Sequence, residues 1–128
     1  MRPLHVLVVE DEQILRQAIE RHLKARGHTV YSAWTVEGAL KSLRIEHIDV
    51  LLLDVMLDSD SNGEKGGLRI AGRTPRDIPI IVISGYNESI IRTEAARNPL
   101  TGVVRWIVKP FEMGMLGDVI ESFGMPMT

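Results

Sequence analysis

Each of four apolar runs in this chain ends in a polar residue of a type suited to phosphoryl chemistry. Leu51, Leu52 and Leu53 run into Asp54, and Leu4 to Val9 into Glu10, Asp11 and Glu12. Ile78 to Ile83 run into Ser84, and Val103 to Val108 into Lys109 and Pro110. Carboxylates brought within a few ångströms of one another repel, and their pKa values rise unless a cation neutralises them. Mg²⁺, or Mn²⁺ in its place, suits such a set: it is a hard ion that takes carboxylate and carbonyl oxygens, keeps several waters and bridges a protein to a phosphoryl group. A carboxylate beside such an ion can attack phosphorus to form an aspartyl phosphate. The metal, a lysine ammonium and a hydroxyl then share the charge on the equatorial oxygens. All of these parts are present here.

The elements that must bring them together follow from hydrophobic periodicity. Leu4–Val9 reads as a strand, and Ile14, Leu15, Ala18, Ile19, His22 and Leu23 then recur at helical spacing until Gly27. The cycle repeats with a strand over 28–33, a helix after the N-cap candidate Thr35, and a strand over 49–53. Further on, 78–83 and 103–108 read as strands, 87–97 as a helix stopped by Pro99, and Met113, Leu116, Val119, Ile120 and Phe123 as an amphipathic helix. Gly63, Gly66, Gly67 and Gly72 predict a short or distorted helix after the third strand. Strands that are apolar throughout and alternate with helices predict an α/β fold: a doubly wound, five-stranded parallel sheet covered on both faces. Ligands of such sheets bind at the carboxyl ends of the strands. An order of 2-1-3-4-5 makes strands one, three, four and five neighbours, so their polar ends meet along one edge.

At 128 residues, the length predicts one domain, with its core over about 4–123. A net charge of −2 offers no electrostatic footprint for nucleic acid. No apolar run reaches the length of a membrane span and the opening residues do not form a secretion signal, so a cytoplasmic protein is expected. The absence of cysteine excludes disulfides and thiolate metal sites. The four histidines, His5, His22, His28 and His47, lack metal-ligand spacing and read as surface or packing residues.

Taken in this order, the strand-end residues resemble a response-regulator receiver domain of two-component signalling, a CheY-like, flavodoxin-like (βα)5 fold, over nearly the whole chain. The resemblance implies that Asp54 in LLLDVML is the phosphoacceptor. It places Asp11 in VVEDE on Mg²⁺, with Glu10 nearby through water and the backbone carbonyl of Met56 as a further ligand. Ser84 in VISGY stands for the family's switch hydroxyl, and Trp106 for its rotating aromatic. Lys109 in VKPF matches the family's lysine, and its bond to Pro110 is expected to be cis. The implied activity is signalling rather than turnover of an external substrate. A phosphoryl group passes from a histidine kinase or phosphotransfer protein to Asp54, Ser84 moves toward it, and Trp106 reorients. The output face, over about 87–124, binds an unidentified downstream protein and also admits a homodimer. Gly85 and Tyr86 resemble a subgroup of stand-alone receivers. Met56 and Tyr86 occupy positions that admit or exclude the hydrolytic water, and their bulk implies slow self-dephosphorylation.

The chain departs from the family's pattern after Asp54. Position 58 is Asp where the family usually has Pro, and the nearest glycine, Gly63, comes one position late. The same stretch imitates the start of a calcium loop at Asp58, Asp60, Asn62 and Gly63, but Arg69 stands where that loop needs a bidentate glutamate. Asp58 and Asp60 also imitate an aspartate-phosphatase pair, displaced from the strand end where those enzymes place it. Two other readings are a non-phosphorylated pseudo-receiver that serves as an interaction module, and a flavodoxin-type enzyme fragment. The second lacks a glycine-rich loop after strand one.

Overall fold

Successive side chains of a strand point to opposite faces, so a strand that is apolar at every position must be covered on both sides. The central strands β1 (His5–Val9), β3 (Val50–Asp54) and β4 (Ile80–Ser84) follow this rule almost throughout, and the more mixed edge strands β2 (Thr29–Ala33) and β5 (Val103–Val108) complete one all-parallel sheet. Their order is β2-β1-β3-β4-β5, as the sequence predicts. The computed structural model describes residues 3–54, 66–85 and 103–123. The expected helix over 87–97, the Asp58–Gly63 stretch, Met56 and Tyr86 lie outside the described residues.

The alternation produces two cores. Leu7, Val9, Leu51, Leu53, Ile80 and Val82 face α2 (Val36–Ile45) and α3 (Gly66–Arg73), which contribute Val36, Ala39, Ile70 and Ala71. Val6, Val8, Val50, Leu52, Ile81 and Ile83 face α1 (Gln13–Ala25) and α4 (Met113–Ser122), which contribute Ile19, Leu23, Leu116 and Ile120. The described part of the helix after the third strand spans eight residues. Thr35 caps α2 by accepting a hydrogen bond from the Gly38 N–H at 3.0 Å.

Helix α1 ends in a Schellman turn. The Gly27 N–H donates to the Lys24 carbonyl and the His28 N–H to the Leu23 carbonyl, at 2.9 and 3.2 Å. Gly27 supplies the φ of +96° that this turn requires. The turn delivers His28 into the core beside α4. Nδ1 of His28 accepts the Leu4 N–H at 3.0 Å, so the ring is the neutral Nε2–H tautomer, and it donates to Oε1 of Glu121 at 3.2 Å. Arg26 lies alongside, bonded to Asp118, Glu121 and the Gly114 carbonyl. The guanidinium occupies the space above Gly117, where a Cβ would stand 2.6 Å from it. The reading of His28 as a packing residue is thus sharpened: it ties β1, the α1–β2 turn and α4 together.

His28→Leu keeps the volume but leaves the buried Leu4 N–H without an acceptor. It is expected to lower unfolding free energy by about 2–3 kcal/mol in urea titrations. A loss below about 0.5 kcal/mol would show that the imidazole only fills space.

Candidate active site

Parallel pairing brings the strand ends level. Val9 pairs with Leu53 and Asp54 with Ile83, so one further residue on β1 places Glu10 beside Asp54. Ser84 pairs with Val108, which places Lys109 one residue past the end of β5. The Lys109 N–H donates to the Ser84 carbonyl at 2.7 Å, and the Lys109–Pro110 peptide is cis, as expected.

The lysine side chain turns back over the sheet edge. Its Nζ donates to Oε1 of Glu10 at 2.7 Å and to Oδ2 of Asp54 at 3.2 Å. Glu10, Asp11 and Asp54 each present a carboxylate oxygen, all within 4.8 Å of one another. Glu10 is fully buried, Asp54 and Ser84 are buried, and Asp11 is exposed. Of the residues expected here, Glu10, Asp11, Asp54 and Lys109 converge. Ser84 holds the neighbouring strand end, one register position beyond the partner of Asp54. Trp106 is half-buried and packs against the core on the α2 and α3 side.

Burial, followed by a hydrogen bond with Asp54, raises the Glu10 pKa from 4.5 to about 8, although the contact with Lys109 opposes this. Burial pulls the Lys109 ammonium down, but the bond to Glu10 and the charge of Asp54 outweigh it and leave its pKa raised. One lysine therefore does not neutralise the set. Among the described residues, Oε2 of Glu10 is buried without a hydrogen-bond partner. Oxygen-only donors, excess negative charge and an unpartnered buried carboxylate oxygen together fit a hard divalent cation such as Mg²⁺.

Sequence reasoning placed Glu10 near the metal, but not in the interior with a direct lysine bond. Its register level with Asp54 could have shown both. Arg16 was missed altogether: its Nη1 donates to the Glu10 carbonyl at 3.0 Å.

A carboxyl group whose folded pKa exceeds its unfolded value contributes stability that is complete below the unfolded pKa and is lost as pH rises through the folded one. With divalent ions chelated, Glu10 is expected to reduce stability across pH 4.5 to about 8, by roughly 1.4 kcal/mol per unit at the steepest. Glu10→Gln mimics the protonated form and removes this contribution. Stability of the variant relative to wild type, from urea titrations in EDTA at pH 5 and pH 8, should increase with pH. A constant difference would refute the assignment.

Residues 6–121 match the response regulator receiver domain family. The chain is 31% identical over 119 residues to the transcriptional regulatory protein AfsQ1 of Streptomyces coelicolor, covering 91% of this chain and 49% of that protein. It is 31% identical over 120 residues to the response regulator FleR of Pseudomonas aeruginosa, covering 94% and 24%. It thus spans half or less of the length of these relatives. Among solved structures, NtrX of Brucella abortus superposes with a TM-score of 0.78 at 25% identity, over 95% of this chain and 27% of that one. The receiver domain of a sensor histidine kinase of Pseudomonas aeruginosa, with a magnesium ion in its active-site cleft, shares the fold at a TM-score of 0.76 and 22% identity, over 97% and 100%. The convergence of acids and lysine at one sheet edge and these matches lead to one conclusion: the chain belongs to the receiver domain family of two-component response regulators.

Proposed function

We propose that Asp54 accepts a phosphoryl group from a phosphohistidine of a histidine kinase or phosphotransfer protein. The observation that carries this reading is Lys109 Nζ bonded to Glu10 and Asp54 while Glu10, Asp11 and Asp54 draw their oxygens together. An oxygen of the Asp54 carboxylate attacks phosphorus, the P–N bond to the donor imidazole breaks, and its electron pair leaves with the ring. Mg²⁺, held by Asp11, Asp54 and the Met56 carbonyl with Glu10 behind water, would screen the charge on the phosphoryl oxygens. Lys109 is already aimed at the Asp54 carboxylate and serves as the second positive charge. Ser84, buried at the end of β4, is the hydroxyl that follows the phosphoryl group.

The change at Ser84 passes to Trp106 on the edge strand β5, biasing a two-state equilibrium. The described part of the output face is β5 and α4, where Val108 is 49% exposed and Met115 and Phe123 each 36%. Apolar groups at this exposure suit a protein partner, including a second copy of the chain. The receiver's net charge of −2 favours protein over nucleic acid as its own partner. Several relatives are named transcriptional regulators, and the chain spans half or less of their length. Among the described residues, no helix is long and apolar enough to cross a membrane.

Incubation with acetyl phosphate and Mg²⁺, followed by intact mass spectrometry, is expected to add one phosphoryl mass to wild type and none to Asp54→Asn. Lys109→Ala should slow the gain on the order of 10²-fold. No gain on wild type, or an equal gain on Asp54→Asn, would sink the proposal. Bulky Met56 and Tyr86 are proposed to hinder the hydrolytic water. Replacing them together, with Met56→Asn and Tyr86→Ala, should speed decay of the aspartyl phosphate by about tenfold or more, on the scale of one positioned catalytic contact; an unchanged half-life would rule this out.

A further inference from the structure

The backbone of Glu10 is held at its N–H and at its carbonyl by groups that do not touch the carboxylates. On one side the Glu10 N–H donates to the Ala33 carbonyl at 3.1 Å, and on the other the Glu10 carbonyl accepts from Arg16 Nη1 at 3.0 Å. The Arg16 side chain is only 11% exposed, and its own position is set by two neighbours, Trp34 and Glu20. Its guanidinium carbon lies 4.6 Å from the ring centroid of Trp34. Its Nε is 3.8 Å from Glu20 Oε1, the oxygen that accepts the Ser32 hydroxyl. Ser32 lies on β2 and Trp34 just past its end, so a continuous strap runs from β2 through α1 to the backbone of the acid cluster.

The arrangement requires a guanidinium. Its planar fork directs one N–H at the carbonyl while its face meets an indole, and an ammonium cannot do both. A peptide unit is rigid, so the direction of the Glu10 carbonyl sets where the Asp11 side chain begins. Asp11 is exposed and has little packing to aim its carboxylate, whereas Glu10 and Asp54 are enclosed by the sheet. Backbone restraint therefore matters most for Asp11.

We infer that Arg16 is the positioning residue of the acid cluster: through the Glu10 carbonyl it aims Asp11 at the cation without being a ligand. The identity of the cation rests on the receiver reading above. Trp34, 58% exposed, forms the outer wall of the strap and keeps the guanidinium on its target. Outer partners of this kind typically change metal affinity by about 10–100-fold when removed.

The test is an NMR titration of the full chain with MgCl₂, following the amide signals of Glu10 and Asp11, for wild type, Arg16→Met, Arg16→Lys and Ile120→Val. Ile120 is buried in α4 within the second core, makes no contact assigned to the strap, and serves as a control for lost stability alone. Arg16→Met should raise the Mg²⁺ dissociation constant about tenfold. Arg16→Lys retains a donor for the carbonyl but loses the fork, and should raise it roughly threefold. Ile120→Val should leave it within about twofold. A value for Arg16→Met within about twofold of wild type, or an equal rise in Ile120→Val, overturns the inference. Should Arg16→Met not fold, an unchanged constant in Arg16→Lys overturns it instead. Absence of saturable shifts in wild type would overturn the receiver reading, whereas normal wild-type binding with unaffected Arg16 variants would overturn only the role of Arg16.

Discussion

The ammonium of Lys109, shared between Glu10 and Asp54, is the interaction around which this molecule is organised. Burying an ionised carboxylate costs several kcal/mol unless it is paired, and here two buried acids compete for one lysine. The structure meets this cost only in part. Glu10 keeps a raised pKa, one of its oxygens has no hydrogen-bond partner among the described residues, and Asp11 adds further negative charge at the surface. A parallel sheet explains why the cost arises at this edge. Strands of matched register end together, so any polar residue placed at a strand exit meets those of its neighbours. An incompletely neutralised edge of this kind is poised for a divalent cation and an anionic phosphoryl group together.

The two cores hold that edge in place. With apolar side chains on both faces, a slip of one residue would still bury apolar groups but would move Glu10 or Asp54 out of level with each other and with Lys109, leaving a buried carboxylate unpaired. The polar exits therefore pin the register as firmly as the apolar residues drive burial. On the α1 and α4 side, His28, Arg26 and Glu121 couple the turn after α1 to the last helix. That helix follows directly from Lys109 and Pro110, so the coupling also restrains the segment that aims the lysine.

Much of this was legible in the sequence because the decisive features are local. Leu51–Leu53 followed by Asp54, or Val103–Val108 followed by Lys109, identify a buried strand and its functional exit together. The helical stripes after β1 and β2 gave the crossovers, and with them the parallel sheet. The differing fates of Glu10, Asp11 and Glu12 were not legible, since three consecutive acids look alike until the register sets Glu10 level with Asp54. Arg16, and the hydrogen-bonding role of His28, escaped for a similar reason. Their partners are a backbone carbonyl six residues back and groups up to 93 residues away, which no periodicity reports.

The sheet edge carries more negative charge than Lys109 neutralises, and a divalent cation would supply the remainder. Carbon-13 NMR of the Glu10 carboxyl, followed against pH with and without Mg²⁺, tests it most directly. Without metal the carboxyl should titrate near the raised value of about 8, and saturating Mg²⁺ should shift its midpoint well below that, toward the ordinary 4.5. A Glu10 already ionised at pH 6 in EDTA, with a midpoint that Mg²⁺ does not move, would contradict the account.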